Sequence, residues 1–335
     1  MQSSTATPQG PRGRAAGQRS RSGSDGTGPD GLRRGLHIRI GPRTRNRRRE
    51  LSGLGYATPT AVVVGLLFLA PLVLVCWMSV NHWPLLGSPS VNFPHNYTSV
   101  ADDSLIGNAA WFTVKYTLVT TVVLFTVALG LALLVQHPRP GVSLLRTAFF
   151  LPAAVGFATA SLLFLGLLSN AIGPVNPVLQ DLGLIDRPVD WITGSPDGAL
   201  GSIVTLVTWR FAGFNMLILL TGLQAIPGEL YEAARMDGAN RLQTLRRITL
   251  PLLRPTIALV LIMMITGSLL AFDQFYILTK GGPDNSTTSV VMVIVRDAFV
   301  RFDLGAAAAL SVVVLAILVL LNVLQLSLLR RREER

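Results

Sequence analysis

Charge is scarce in this chain. Only 14% of its 335 residues are Asp, Glu, Lys or Arg, against about 25% in ordinary soluble domains. Lysine is almost absent: Lys115 and Lys280 are the two, and the other basic residues are Arg, a bias of the kind a GC-rich bacterial genome produces. The single cysteine, Cys76, sits inside an apolar run. It excludes an intrachain disulfide and says nothing of the redox compartment. Four histidines, His37, His82, His95 and His137, are scattered without metal-ligand spacing. A phosphate-binding loop needs Gly-x-x-x-x-Gly-Lys-Ser/Thr. Lys115 is followed by Tyr116 and Lys280 by Gly281, so this chain cannot supply that nucleotide site. No catalytic constellation emerges, and the expectation is a protein that is not an enzyme and binds no cofactor itself.

Long apolar runs take the place of charge. Half of the residues are hydrophobic and the mean hydropathy is +0.49. A helical span needs about 20 apolar residues. Six runs qualify, at about 57–80, 112–135, 146–168, 200–222, 256–278 and 305–329. The expected fold is an all-α membrane protein with six transmembrane helices. Pro59, Pro71 and Pro152 lie in or near these runs, which membrane helices tolerate when neighbours satisfy the freed backbone groups. Lys115, near the start of the second run, is expected to extend its amine to the interface.

The basic residues sit at the ends. Residues 1–56 carry a net charge of +9 and residues 330–335 one of +2, which accounts for the total of +11. A neutral middle and an Arg-rich arm ahead of an apolar run point to anionic lipid on the cytoplasmic side, and away from nucleic acid. Residues 1–50, rich in Gly, Ser, Arg and Pro, cannot bury enough surface to order themselves; they read as a disordered basic cytoplasmic arm ahead of a membrane domain over 51–335. The first apolar run is too late and too long for a cleavable signal.

Segment charges set the orientation. Residues 81–108 contain Asp102 and Asp103 but no Lys or Arg, whereas 223–255 contain Arg235, Arg241, Arg246, Arg247 and Arg254. The positive-inside rule therefore puts both termini and the 223–255 loop in the cytoplasm. The stretch Val290–Val300 is too short to span and is expected to lie along the outer surface.

The 223–255 loop has its own architecture. Pro227 suits a helix start. Leu230, Ala233 and Ala234 share a face. Gly238 is suited to the left-handed turn that ends a helix, Asn240 to capping a second helix, and Pro251 to stopping it. Two readings stand on physics alone: an amphipathic loop resting on lipid headgroups, or a rigid knob that fits a groove in a soluble partner.

The residues Glu232-Ala233-Ala234, then three residues, Gly238, nine residues, and Ile248-Thr249-Leu250-Pro251 resemble the EAA signature of binding-protein-dependent ABC importer permeases. The stretches "GLQAIPGELYEAARMDGA" and "FDQFYILTKGGP" resemble the maltose and glycerol-phosphate branch, and the likeness covers roughly residues 57–330. The resemblance implies a type I importer permease fold. It implies a second permease subunit, two cytoplasmic ATPase subunits that hold ATP and Mg, and an extracytoplasmic solute-binding protein. It makes the loop an ATPase-coupling element, with Glu232, Ala233, Ala234, Asp237, Gly238, Ile248, Leu250 and Pro251 as its residues. Glu232 and Asp237 would pair with basic groups of the ATPase, or with nearby Arg on a solvated face. The polar outer stretch Thr279–Thr287 would meet the binding protein, or is simply a turn.

Polar residues within the runs suggest a solute path. Arg210, near the middle of the fourth run, is costly there and is expected to face the protein interior or water. Trp209 suits stacking on a sugar ring, and Asn215 suits hydrogen bonds to hydroxyls. Phe272, Asp273, Gln274 and Tyr276 mix aromatic and polar groups as a sugar site would. Arg210 equally suits an anionic solute such as glycerol 3-phosphate, or a helix tie to Asp273. An ion-coupled carrier working without an ATPase and a membrane scaffold are the competing classes.

Overall fold

The computed structural model describes residues 58–137 and 139–333, with side chains to 327. The arm at 1–50 and the first residue of the first expected span lie outside them. Thr60–Arg335 forms one compact unit.

Helix α1 (Thr58–Ser79) contains a π turn at Gly65–Leu69. Pro71 follows it and lacks an amide to give the preceding turn, and a wider turn is one way a helix absorbs that loss. A two-strand hairpin, Asn81–His82 with Ser90–Val91, and the short α2 (His95–Asp102) lead to α3 (Ser104–Val135). Asp103 caps α3 by accepting from the Leu105 amide at 2.8 Å. Then come α4 (Val142–Phe150), which tightens into a 3-10 turn over Leu151–Ala154, and α5 (Phe157–Leu167). The short α6 (Val175–Asp181) precedes α7 (Pro196–Gln224). The charged hairpin is α8 (Gly228–Met236) followed by α9 (Arg241–Leu252). The chain ends with α10 (Arg254–Leu269), a π turn at Phe275–Thr279, α11 (Val290–Phe299) and α12 (Leu304–Glu333).

Among the described residues, α1, α3, α7 and the Leu304–Ser327 part of α12 are unbroken helices long and apolar enough to cross a bilayer. Counting two bent pairs as one span each gives six. The third expected span is broken: α4 with its 3-10 turn meets α5 at 96°. Hydropathy alone does not detect this bend, because Pro152, Val155 and Gly156 are themselves apolar or neutral. The fifth is interrupted too: α10 ends at Leu269, well short of 278, and a 72° bend between α9 and α10 lies just before the expected start at 256. Pro251 does not stop the second hairpin helix. A π turn at Leu245–Thr249 precedes it, and the bend follows at Leu253.

The core lies between α3 and α7. Ala128 and Ala132 are fully buried one turn apart on α3, and small residues at this spacing let helix backbones approach closely. They join Leu206, Met216, Leu219 and Val260 in one cluster. Gly213 brings α7 against α4: a Cβ there would lie 1.8 Å from the Phe149 carbonyl oxygen. Helix α11, ten residues long, packs one face on the bundle. Its Val293 is completely buried with Val100, Ala109, Ala309 and Leu310, and its Val290 amide donates to Thr113 Oγ1 at 3.1 Å. Lys115 falls well inside α3, which begins eight residues before the expected run. Its amine pairs with Asp197 at 3.0 Å across the N-terminal part of α7.

Candidate functional site

The interruption of the fifth span makes one wall of a cavity of about 330 Å³. The backbone leaves its helical path at Ala271–Phe272, which at membrane depth is tolerated where protein or a cavity satisfies the freed groups. Ser289 does part of this, its hydroxyl lying 3.2 Å from the Ala271 carbonyl that accepts from it. Gly267, Ser268 and Leu270–Gln274 line one side of the cavity, Val207, Phe211, Phe214 and Asn215 of α7 another, and Tyr116 and Leu124 of α3 a third. Phe157 of α5 and Met263 and Met264 of α10 complete it.

Four of the residues expected in a solute path therefore share one space: Asn215, Phe272, Asp273 and Gln274. Asn215 is buried, and its amide donates back to the Phe211 carbonyl at 2.9 Å. Gln274 is buried, and its Nε2 donates to Tyr116 Oη at 3.0 Å. Asp273 is exposed. Tyr276 is not in the lining but stacks on Phe272, ring centroids 5.1 Å apart.

Trp209 and Arg210 are placed elsewhere. Trp209 packs on Phe164 of α5 at 5.5 Å. Arg210 donates its Nε–H to the Val155 carbonyl at 2.9 Å. Its guanidinium lies 4.8 Å from the Phe157 ring centre and 4.5 Å from that of Phe211. The costly cation is thus used to satisfy the backbone exposed at the α4–α5 break. It does not tie to Asp273.

Sequence reasoning missed Tyr116. It is fully buried, with Phe275 against it at 4.8 Å and Phe112 at 6.2 Å. Phe112 lines a second cavity of about 260 Å³ with Trp111, Lys115 and Asp284–Ser286, so Tyr116 borders one space and the neighbouring Phe112 the other. The available signal was a Tyr on the same α3 face as Phe112, Thr113 and Thr120.

In the charged hairpin, Gly238 is left-handed at φ +73 with nothing within 4 Å of a would-be Cβ. The turn closes by hydrogen bonds from Gly238 N to Arg235 O at 3.1 Å and Ala239 N to Ala234 O at 2.9 Å. Asn240 and Gln243 form a reciprocal capping box, both bonds 2.9 Å. Tyr231 Oη lies 3.3 Å from Thr249 Oγ1, linking the two helices. Glu232, Ala233, Asp237 and Gly238 are exposed, Ala234 is buried, and Ile248, Leu250 and Pro251 are half-buried. Met236 at the tip is 88% exposed, so the hairpin offers an apolar tip on a rigid turn.

A multi-span helical bundle with a cavity at a broken helix and a rigid charged hairpin is the architecture of a transport protein's membrane subunit. Residues 124–334 match the family described as binding-protein-dependent transport system inner membrane component. The chain belongs to this family and is a multi-pass membrane protein. It is 34% identical over 278 residues to the sulfoquinovosyl glycerol transport system permease protein SmoG of Agrobacterium fabrum, covering 82% of this chain and 89% of that one. It is 31% identical to the trehalose/maltose transport system permease protein MalF of Thermococcus litoralis, covering 84% and 95%. Its fold matches a chain of a bacterial alginate ABC transporter, crystallised with an alginate pentasaccharide-bound periplasmic protein. The TM-score is 0.74 at 22% identity, covering 85% of this chain and 96% of that one. The chain thus has the type I importer permease fold.

Proposed function

We propose that this chain is the permease subunit of an ATP-driven importer for a sugar or oligosaccharide. The observation that carries the coupling is the hairpin: Glu232, Ala233, Asp237 and Gly238 are presented together on a turn closed by its own hydrogen bonds. A rigid, close-approach surface of this kind transmits a push without absorbing it. Ile248, Leu250 and Pro251 sit where the second hairpin helix bends into α10, so displacement of the tip is delivered to the broken fifth span and its cavity. Closure of an ATPase dimer, with ATP and Mg held there, drives the cavity from inward- to outward-facing.

The saccharide reading rests on the cavity's mixture of aromatic faces and amide groups, and on the relative named for trehalose/maltose. The partners are a second permease, two ATPase subunits, an extracytoplasmic binding protein and membrane lipid. Both termini and the Arg-rich hairpin lie in the cytoplasm of a bacterial cell. The alternatives are the same machine with glycerol 3-phosphate or another polar solute, and an ion-coupled carrier. Reconstitution in proteoliposomes separates these classes. The proposal expects uptake only with the ATPase and internal ATP; uptake driven by an ion gradient with the ATPase omitted would contradict it.

A further inference from the structure

Among the described residues lining the cavity, Asp273 is the only one with a formal charge, and there is no Lys, Arg or His in its walls. The cation with the nearest sequence position on α7 is Arg210, five residues before Asn215. Its Nε–H is taken by the Val155 carbonyl, and its guanidinium lies over the rings of Phe157 and Phe211. Those two rings line the cavity and Arg210 does not. The guanidinium thus lies against two rings of the cavity wall without itself lining the cavity. Lys115 pairs with Asp197 and borders the second cavity.

Resting on the saccharide reading above, we infer that the solute held in this cavity carries no net negative charge. It is a neutral saccharide, and Asp273 is the specificity residue that rejects carboxylated, sulfonated or phosphorylated sugars. The attractive half of the site is uncharged. Phe272 and Phe214 offer flat apolar faces to the C–H side of a sugar ring, Asn215 and Gln274 offer amides, and the Asp273 carboxylate accepts from hydroxyls. The repulsive half is Asp273 itself, and specificity commonly needs such an element. Two like charges about 4 Å apart at an effective dielectric of about 20 repel strongly enough for well over tenfold discrimination. A solute anion gains no compensating cation from the described residues that line the cavity.

The test is equilibrium binding of labelled maltotriose and labelled trigalacturonate to the complete permease–ATPase complex in nanodiscs, without binding protein. The wild type is expected to prefer maltotriose at least tenfold at low salt. Asp273→Asn should shrink that preference to about threefold or less, since the repulsion goes while hydrogen bonding remains. Raising the salt should narrow the wild-type preference and leave that of the variant unmoved, because mobile ions screen the exposed charge. A merely structural role for Asp273 would not move the ratio or its salt dependence. Trigalacturonate binding as tightly as maltotriose to the wild type would overturn the inference. So would a ratio unchanged by Asp273→Asn. Binding of neither probe would overturn the saccharide reading itself and the inference with it.

Discussion

Gln274 and Tyr116 are 158 residues apart in sequence and joined by a 3.0 Å hydrogen bond in the interior of the bundle. The amide donates to the phenol, and both side chains are buried. The bond ties the stretch after the broken fifth span to α3, so one wall of the cavity is clamped to another. Tyr116→Phe removes the acceptor and leaves a buried amide unpaired. The expected loss is about 1–3 kcal/mol of stability, read as a lowered unfolding temperature in detergent. Gln274→Leu, which removes the amide's own polar demand, should cost less than Tyr116→Phe if the unpaired amide dominates.

At Gly213 the limit is steric. Gly213→Ala places a methyl 1.8 Å from the Phe149 carbonyl oxygen, and the backbone must move because no flexible side chain is available to yield. The expected cost is about 1–3 kcal/mol. Gly201→Ala on the same helix meets nothing within 4 Å and should shift stability by no more than about 1 kcal/mol, in the stabilising direction. Thermal unfolding of the pair checks both.

Arg210 should behave as a structural tie. Arg210→Gln weakens the hydrogen bond to Val155 and removes the cation from the faces of Phe157 and Phe211. Stability should fall by about 1–3 kcal/mol. The ratio of neutral to anionic probe binding should stay where it is, in contrast to Asp273→Asn. Binding isotherms beside unfolding curves distinguish the two roles.

Asp190, in the segment between α6 and α7, gives a pH dependence. The Thr193 hydroxyl, then the Thr193 amide, donate to its carboxylate, and the Ile192 amide adds to them. These bonds hold the carboxyl below its ordinary range. With the folded value depressed, the stabilisation is present above the unfolded value of about 4 and is lost as pH falls through the folded value. The difference in unfolding temperature between wild type and Asp190→Asn should therefore close on acidification below about pH 4.

Much of this was legible in the chain. The left-handed Gly238 and the capping Asn240 followed from the short-range chemistry of helix ends, and these bonds close within five residues. Phe272, Asp273 and Gln274 stood out because they mix aromatic and polar groups within an apolar run. The breaks were not legible. Hydropathy sums smoothly across Val155 and Gly156 and across Leu270–Phe272, since an apolar residue scores the same in or out of a helix. Arg210 was visible as a costly cation, but its partner is a backbone carbonyl freed by an unseen break. Tyr116 was passed over because its meaning depends on Gln274, which only the fold brings near. The inward packing of Val290–Phe299 likewise depends on Val100 and Ala309, distant in sequence.

The central claim is that the Glu232–Pro251 hairpin couples this chain to an ATPase, and co-purification tests it most directly. The tagged chain would be drawn from native membranes in mild detergent, with Gly238→Val in parallel, and the partners read by mass spectrometry. Gly238 has φ +73 and open space around it, so a branched residue strains the turn by about 1–2 kcal/mol and clashes with nothing. Membrane insertion should survive. The account predicts that an ATPase and a second permease accompany the wild type, and that the ATPase is depleted with Gly238→Val while the second permease remains. Wild-type membranes that yield no ATPase across several detergents, or a variant that retains it fully and imports normally, would contradict the account.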